Sequence, residues 1–284
     1  MTPQTLRAAL WMLGAIASFT SMAVGGRAVS HALDTFEIMM YRSVTGVVVM
    51  VTIIVLTRRT ADIRRDYLGQ HLIRNICHFT GQNLWFLAIT LIPLAQVFAL
   101  EFTSPIWVLL LAPLILGEKV RPIQLVVAAA GFGGVLLVAD PFGGSLSPGL
   151  LWAGLAAVSF ALTNLLTRRL TRHETVAGIL FWLTVLQLMF GLATAGFDGD
   201  IALPDATTLP WVVMIGLAGL CAHWCLTNAL SLAPASTIMP IDFARLPLIA
   251  TIGALFYAEP LDPMVLLGGT IVFFAAWANL RLAR

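Results

Sequence analysis

The segment from Pro93 to Pro122, PLAQVFALEFTSPIWVLLLAPLILGEKVRP, returns 141 positions later as Pro234 to Pro263. Each copy is apolar enough to lie in lipid. Each carries one carboxylate eight residues after its first proline (Glu101, Asp242) and a second proline near its middle (Pro105, Pro247). The same shift pairs Trp11 with Trp152, Ser18 with Ser159, Phe19 with Phe160, Arg27 with Arg168, Phe102 with Phe243 and Glu118 with Glu259. Matched leucines mean little in so apolar a chain, whereas matched Trp, Pro, Arg and Glu residues mark a duplication. Residues 1–140 form one repeat and 141–284 the other, joined at the turn-rich run Asp140-Pro141-Phe142-Gly143-Gly144.

Apolar residues make up 59% of the 284 positions and charged ones 11%, where a soluble domain has roughly a quarter charged. A helix needs about 20 apolar residues to cross a bilayer. Ten stretches meet that need: 8–26, 35–57, 68–91, 94–116 and 122–139, then 147–167, 175–196, 209–231, 235–257 and 263–281. They leave no stretch for a soluble domain. Arg7 before an apolar run resembles the start of a signal peptide. That run has a counterpart in the second repeat, so it is read as the first transmembrane helix.

Five spans per repeat is an odd number, so the second repeat must enter the membrane from the opposite face. With the N-terminus in the cytoplasm, the inner segments hold Arg7, Arg58, Arg59, Arg64, Arg65, Lys119, Arg121, Arg168, Arg169, Arg172, Arg281 and Arg284. The outer side holds only Arg27, and Asp198, Asp200 and Asp205 gather in one outer loop. Twelve bases against one place both termini inside. The expected fold is an all-α polytopic membrane protein, ten transmembrane helices in two inverted five-helix repeats around a central cavity. Inverted repeats characterise secondary transporters, whose site lies near the midplane between the halves.

Polar groups within the spans are the functional clue, because a central charge costs about 2.5–3.5 kcal/mol to insert. In the third span His71, Asn75, His78 and Gln82 recur at spacings of four, three and four, one face of a helix, with Arg74 beside them. That stripe fits either a buried face with satisfied contacts or the wall of a wet cavity; so many polar groups would be costly in packed protein, and a cavity wall is expected. At about 1.5 Å per residue, Glu101 and Asp242 each lie about 12 Å from their helix starts and flank the midplane from opposite sides. Asp242 and Arg245 are three apart and suited to pair; Arg42 is a candidate partner for Glu101. The sixth span carries Ser159, Thr163 and Asn164, and the eighth His223, Trp224, Thr227 and Asn228. The residues expected to line a substrate path are His78, Gln82, Glu101, Asn164, Trp224, Asn228, Asp242 and Arg245. Pro105 and Pro247 are expected to kink continuous helices and act as gate hinges.

Cys221, His223 and Cys225 superficially resemble a metal site, but His223 falls off the face that carries both thiols and no fourth ligand is near. The thiols are read as buried, with no metal and no cofactor. Neither H-E-x-x-H nor G-x-S-x-G is present, which argues against an enzyme. No basic run with interleaved aromatics suggests nucleic acid.

The runs FLAITLIPLAQ (Phe86–Gln96) and LGEKVRP (Leu116–Pro122), their second copies NALSLAPAS (Asn228–Ser236) and YAEPLDP (Tyr257–Pro263), and Tyr41-Arg42-Ser43 resemble the EamA type of the drug/metabolite transporter superfamily. Ala258 stands where that family usually has glycine. Within the superfamily the chain is similar to the YddG-type amino-acid exporters. The resemblance implies a basket of ten helices in a bacterial inner membrane. Its cavity would be walled by the first, third, fourth, sixth, eighth and ninth spans and would export small neutral, bulky or aromatic amino acids. Efflux of cationic drugs, or exchange of a nucleotide-linked or vitamin-like metabolite, is the alternative. The partners expected are that small molecule and the lipid bilayer, with monomer and homodimer both open.

Overall fold

The computed structural model describes residues 3–139, 147–257 and scattered positions between 263 and 278. Among the described residues there is no strand. In the first repeat the helices are α1 (Pro3–Val29), α2 (Thr35–Leu56), α3 (Leu68–Leu91), α4 (Leu94–Glu101), α5 (Ser104–Leu116) and α6 (Pro122–Ala139). In the second they are α7 (Pro148–Leu170), α8 (Val176–Thr194), α9 (Leu209–Leu232), α10 (Ala235–Ile238) and α11 (Arg245–Tyr257), with a 3₁₀ stretch, Met239–Ala244, between the last two. The tenth predicted span falls mostly outside the described residues, as do the linker at 140–146 and Glu259; the described positions of that span are helical.

Five of these helices, α1, α2, α7, α8 and α9, are long and apolar enough to cross a membrane on composition alone. α3 has 24 residues and spans about 36 Å at 1.5 Å per residue; its polar stripe is what lowers its hydropathy. The molecule is polar inside and apolar outside. His71, Arg74, Asn75, His78 and Gln82 are all buried, whereas Leu10, Val48, Leu114, Leu192 and Leu255 are exposed. This is the pattern of a bundle solvated by lipid.

Helix contacts follow the duplication. α1, first in its repeat, packs on α9, third span of the other; α3 packs on α7, the same pair with the repeats exchanged. α2 packs on α8, its own counterpart. α4 packs on α11 and α5 on α10, so spans four and nine run antiparallel. Small residues permit these approaches. At Gly81 of α3, a Cβ would come within 2.9 Å of Ser159 Cβ on α7. At Gly134 of α6, one would come within 2.7 Å of the Gly268 carbonyl.

The fourth and ninth spans are broken, not kinked. Pro105 has no N–H, and its ring would collide with the carbonyl four residues back, that of Glu101. α4 therefore ends at Glu101, the chain turns through Phe102 and Thr103, and Pro105 lies in the first turn of α5, where proline costs little. Pro247 likewise lies in the first turn of α11, after the 3₁₀ stretch. The expectation of prolines inside continuous helices is corrected accordingly. Pro113 alone of these sits within a helix, α5.

Hydrogen bonds to and within the 198–208 loop fix the helix starts nearest it. Asp34 and Glu37 form a capping box at the head of α2, with reciprocal bonds of 2.8 Å. Glu37 also accepts from the Ala202 amide, and the Tyr41 hydroxyl donates to the Ala202 carbonyl at 2.7 Å. Asp205 Oδ1 accepts from the amides of Thr207 and Thr208 at 2.9 and 2.8 Å and from both their hydroxyls. These bonds hold its carboxyl down to about 2.

Candidate functional site

The two breaks face each other, and the charged groups next to them form one cluster. Arg245, at the head of α11, donates to Glu101 at the end of α4, and at 2.8 Å to Asp242 in the 3₁₀ stretch. The second oxygen of Glu101 accepts from the indole N–H of Trp85 at 2.6 Å. The Arg245 guanidinium lies 5.0 Å from the ring centre of Phe98, 5.1 Å from Phe102 and 5.3 Å from Phe19, within cation–π range. Arg245 and Glu101 are buried. Arg42 is not the partner of Glu101; it donates to Gln82 at 2.7 Å.

A cavity of about 50 Å³ opens on this cluster. It is walled by His78, Gln82 and Trp85 of α3, by Phe160, Thr163 and Asn164 of α7, and by Met12, Phe19 and Met22 of α1. His223 and Leu226 of α9, Ser104 and Pro105 of α5, Met239 and the three charged residues complete it. The walls thus come from spans one, three, four, six, eight and nine. The repeat-matched phenylalanines, Phe19 and Phe160, both reach it. His78 and His223 meet edge to face, ring centres 4.6 Å apart.

Several polar atoms on these walls are buried with no hydrogen-bond partner: Ser104 Oγ, Asp242 Oδ1, Arg245 Nε and both ring nitrogens of His78 and His223. Such atoms are costly to leave unpaired. Grouped around one cavity, they are the arrangement a polar cargo satisfies.

Of the eight residues expected to line the path, six wall this cavity: His78, Gln82, Glu101, Asn164, Asp242 and Arg245, with Pro105 beside them. Trp224 and Asn228 do not. Trp224 packs against a separate apolar cluster around Met50 and Leu180, and Asn228 donates to the Trp224 carbonyl at 2.8 Å. The α3 stripe also divides. Its C-terminal half, His78 and Gln82, reaches the cavity. Asn75 bonds with Gln187 of α8 at 3.1 Å, and His71 lies against Trp182. Trp85, Phe19 and His223 were not among the expected lining residues. The repeat register marked Phe19, and the depth of Trp85 in its span was a signal. His223 lies on α9, the counterpart of the helix that carries His78.

The model of the EamA-like transporter family matches residues 6–139 and again 147–281. The chain belongs to the EamA-like transporter family. It is a multi-pass membrane transporter, not an enzyme. A riboflavin transporter of Rhizobium johnstonii is 34% identical over 228 residues, covering 78% of this EamA-like chain and 73% of that protein. A riboflavin transporter of Vibrio cholerae is 26% identical, with 98% and 96% covered. An S-adenosylmethionine uptake transporter of Rickettsia conorii is 24% identical, with 92% and 88% covered. One crystal structure superposes with a TM-score of 0.79 over 98% of this chain and 97% of the other, at 19% identity, a likeness of fold.

Proposed function

We propose that the chain is a secondary transporter working by alternating access, and that it carries a heteroaromatic metabolite of flavin or adenosyl type into the cytoplasm. It would sit in a bacterial inner membrane with both termini inside. One observation carries the reading: unpaired buried polar atoms and aromatic rings (Phe19, Phe160, Trp85) face one cavity at the breaks between two repeats. A flat heteroaromatic ring stacks on such side chains, while its polar edge meets the unpaired groups. The names of the relatives agree with such a cargo. Glu101, Asp242 and Arg245 hold the polar edge, His78, Gln82 and Asn164 complete the wall, and the breaks before Pro105 and Pro247 are the hinges.

A second reading is export of neutral amino acids. The cluster favours it in one respect, since carboxylates and a guanidinium side by side suit an ammonium and a carboxylate. The test is uptake of radiolabelled riboflavin, S-adenosylmethionine and tryptophan into proteoliposomes, with and without a pH gradient. Saturable riboflavin or S-adenosylmethionine uptake supports the first reading. Counterflow of tryptophan alone replaces it with the second, and no flux of any of the three sinks both.

A further inference from the structure

Among the described residues, two guanidinium groups in the spans have no counter-charge. Arg42 of α2 and Arg74 of α3 are 5% and 1% exposed, and among the described residues neither has a carboxylate within 4 Å. Their hydrogen bonds go to neutral acceptors. Arg42 Nη1 donates to Gln82 Oε1 at 2.7 Å and lies 3.4 Å from Met39 Sδ. Arg74 Nε donates to Thr167 Oγ1 at 2.9 Å and its Nη1 to Asn75 Oδ1 at 3.3 Å. Gly219 of α9 makes room for Arg42, since a Cβ there would stand 2.6 Å from its Nε.

Arg74 lies four residues before His78 on α3, one turn away on the same helix face. His78 and His223, 2% and 3% exposed, present ring nitrogens without partners beside the cavity. Gln82, which also walls it, links the cavity to Arg42. At the far side, two carboxylates and one guanidinium leave a formal excess of one negative charge. Two cationic groups thus stand behind the histidine side of the cavity wall, outside its lining, and a net negative cluster stands at the other side. Trp85, the partner of Glu101, is eleven residues beyond Arg74 on α3, about 16 Å at 1.5 Å per residue.

A lone cation in a span is costly, and two sharing one region repel. A protein that only needed a packed helix contact would put neutral residues here. Holding two unpaired arginines behind two unpaired histidines is the arrangement that an incoming anion neutralises. We infer that His78 and His223, backed by Arg42 and Arg74, form an oxyanion subsite for a carboxylate or phosphate group. This deepens the reading of the cavity as the cargo site and rests on it. The cargo would then be dipolar, its oxyanion at the histidine end and its donor or cationic edge at Glu101 and Asp242, a demand that S-adenosylmethionine meets with its carboxylate and cationic groups and that riboflavin, with neither a carboxylate nor a phosphate, does not.

The test is thermal unfolding of purified protein in detergent, in a low-salt zwitterionic buffer, titrated with acetate, inorganic phosphate or chloride. Wild type should show a saturable rise in Tm with acetate or phosphate, and a smaller one with chloride. Arg42→Gln and Arg74→Gln should each lose that rise while melting no lower than wild type without anion. Arg42→Lys, which keeps the charge, should retain it. No saturable rise in wild type, or a rise that survives both glutamine variants, overturns the subsite. If Arg42→Gln fails to fold, Arg74→Gln and Arg42→Lys still decide the matter. An anion effect without riboflavin or S-adenosylmethionine flux would leave the subsite standing and sink only the cargo assignment.

Discussion

Removing Arg245 should leave Glu101, buried, and Asp242, half-buried, with no counter-charge. Its guanidinium bonds to Glu101 and Asp242 and stacks among Phe19, Phe98 and Phe102. Arg245→Met keeps most of the side-chain volume, so packing loss is small. Taking one partner from a buried pair typically costs about 3–5 kcal/mol, because the remaining charge is stranded. Here two charges are stranded together, so the upper part of that range is expected. At roughly 2–4 °C per kcal/mol for a chain of this size, Tm should fall by ~10 °C or more. The triple variant Arg245→Met, Glu101→Gln, Asp242→Asn removes the charges together and should regain most of that loss. Neither variant should transport. The assay is a melting curve in detergent beside proteoliposome uptake. If Arg245→Met melts at or above the triple variant, the cluster is not a balanced buried charge set. If the triple variant transports at the wild-type rate, the cluster does not hold cargo.

Gly81→Val should split α3 from α7, since even a Cβ would lie 2.9 Å from Ser159 Cβ and 3.0 Å from the Phe160 ring. Overpacking of that kind costs about 1–3 kcal/mol and should show as a lower Tm and altered cavity accessibility. Asp205 has its folded carboxyl held down to about 2, below the ordinary 3.8. Its contribution is therefore present above pH ~4 and lost as pH falls through about 2; the Tm gap between wild type and Asp205→Asn should close over that window. Arg168 pairs with Glu118 at 3.4 Å and donates to the Leu230 carbonyl, which ties the ends of α5, α7 and α9. Arg168→Gln should loosen that end, raising maleimide labelling of a cysteine placed at Leu116.

The spans and the duplication were legible because both are local or periodic. Twenty apolar residues announce a helix wherever they occur, and Trp11/Trp152 or Glu118/Glu259 can be matched by shifting one string on itself. The pairing of Asp242 with Arg245 was legible for the same reason, being three residues apart. Glu101 with Arg245 was not, because that contact joins positions 144 apart and Arg42 stood in an equally suitable span. Trp224 and Asn228 lie off this cavity because a helix in a bundle buries more than one face. α9 turns His223 to the cavity and Trp224, one residue on, to α2 and α8. The broken spans were readable in principle: the carbonyl that Pro105 obstructs belongs to Glu101, the residue where α4 stops.

The same break decides which side of the cavity is harder to open. About 50 Å³ holds a few waters, far short of the roughly 300–1,000 Å³ of sites for drug-sized ligands, so the walls must part. Glu101 closes α4 and Arg245 opens α11, and these two pieces pack together on the proposed outer side. Separating α4 from α11 must break the Glu101–Arg245 pair. Moving α5 and α10, on the proposed inner side, can leave it intact. Outer opening thus carries the larger electrostatic cost, and weakening the pair should shift the population outward, about tenfold for each 1.4 kcal/mol. Glu101→Gln keeps an acceptor but removes the charge. In a Phe98→Cys background, with Phe98 buried at that seam, the substitution should speed labelling by an impermeant maleimide added from outside at least tenfold. A rate unchanged or slower than in the Phe98→Cys parent would mean that the pair does not latch the outer side, and that opening is governed elsewhere.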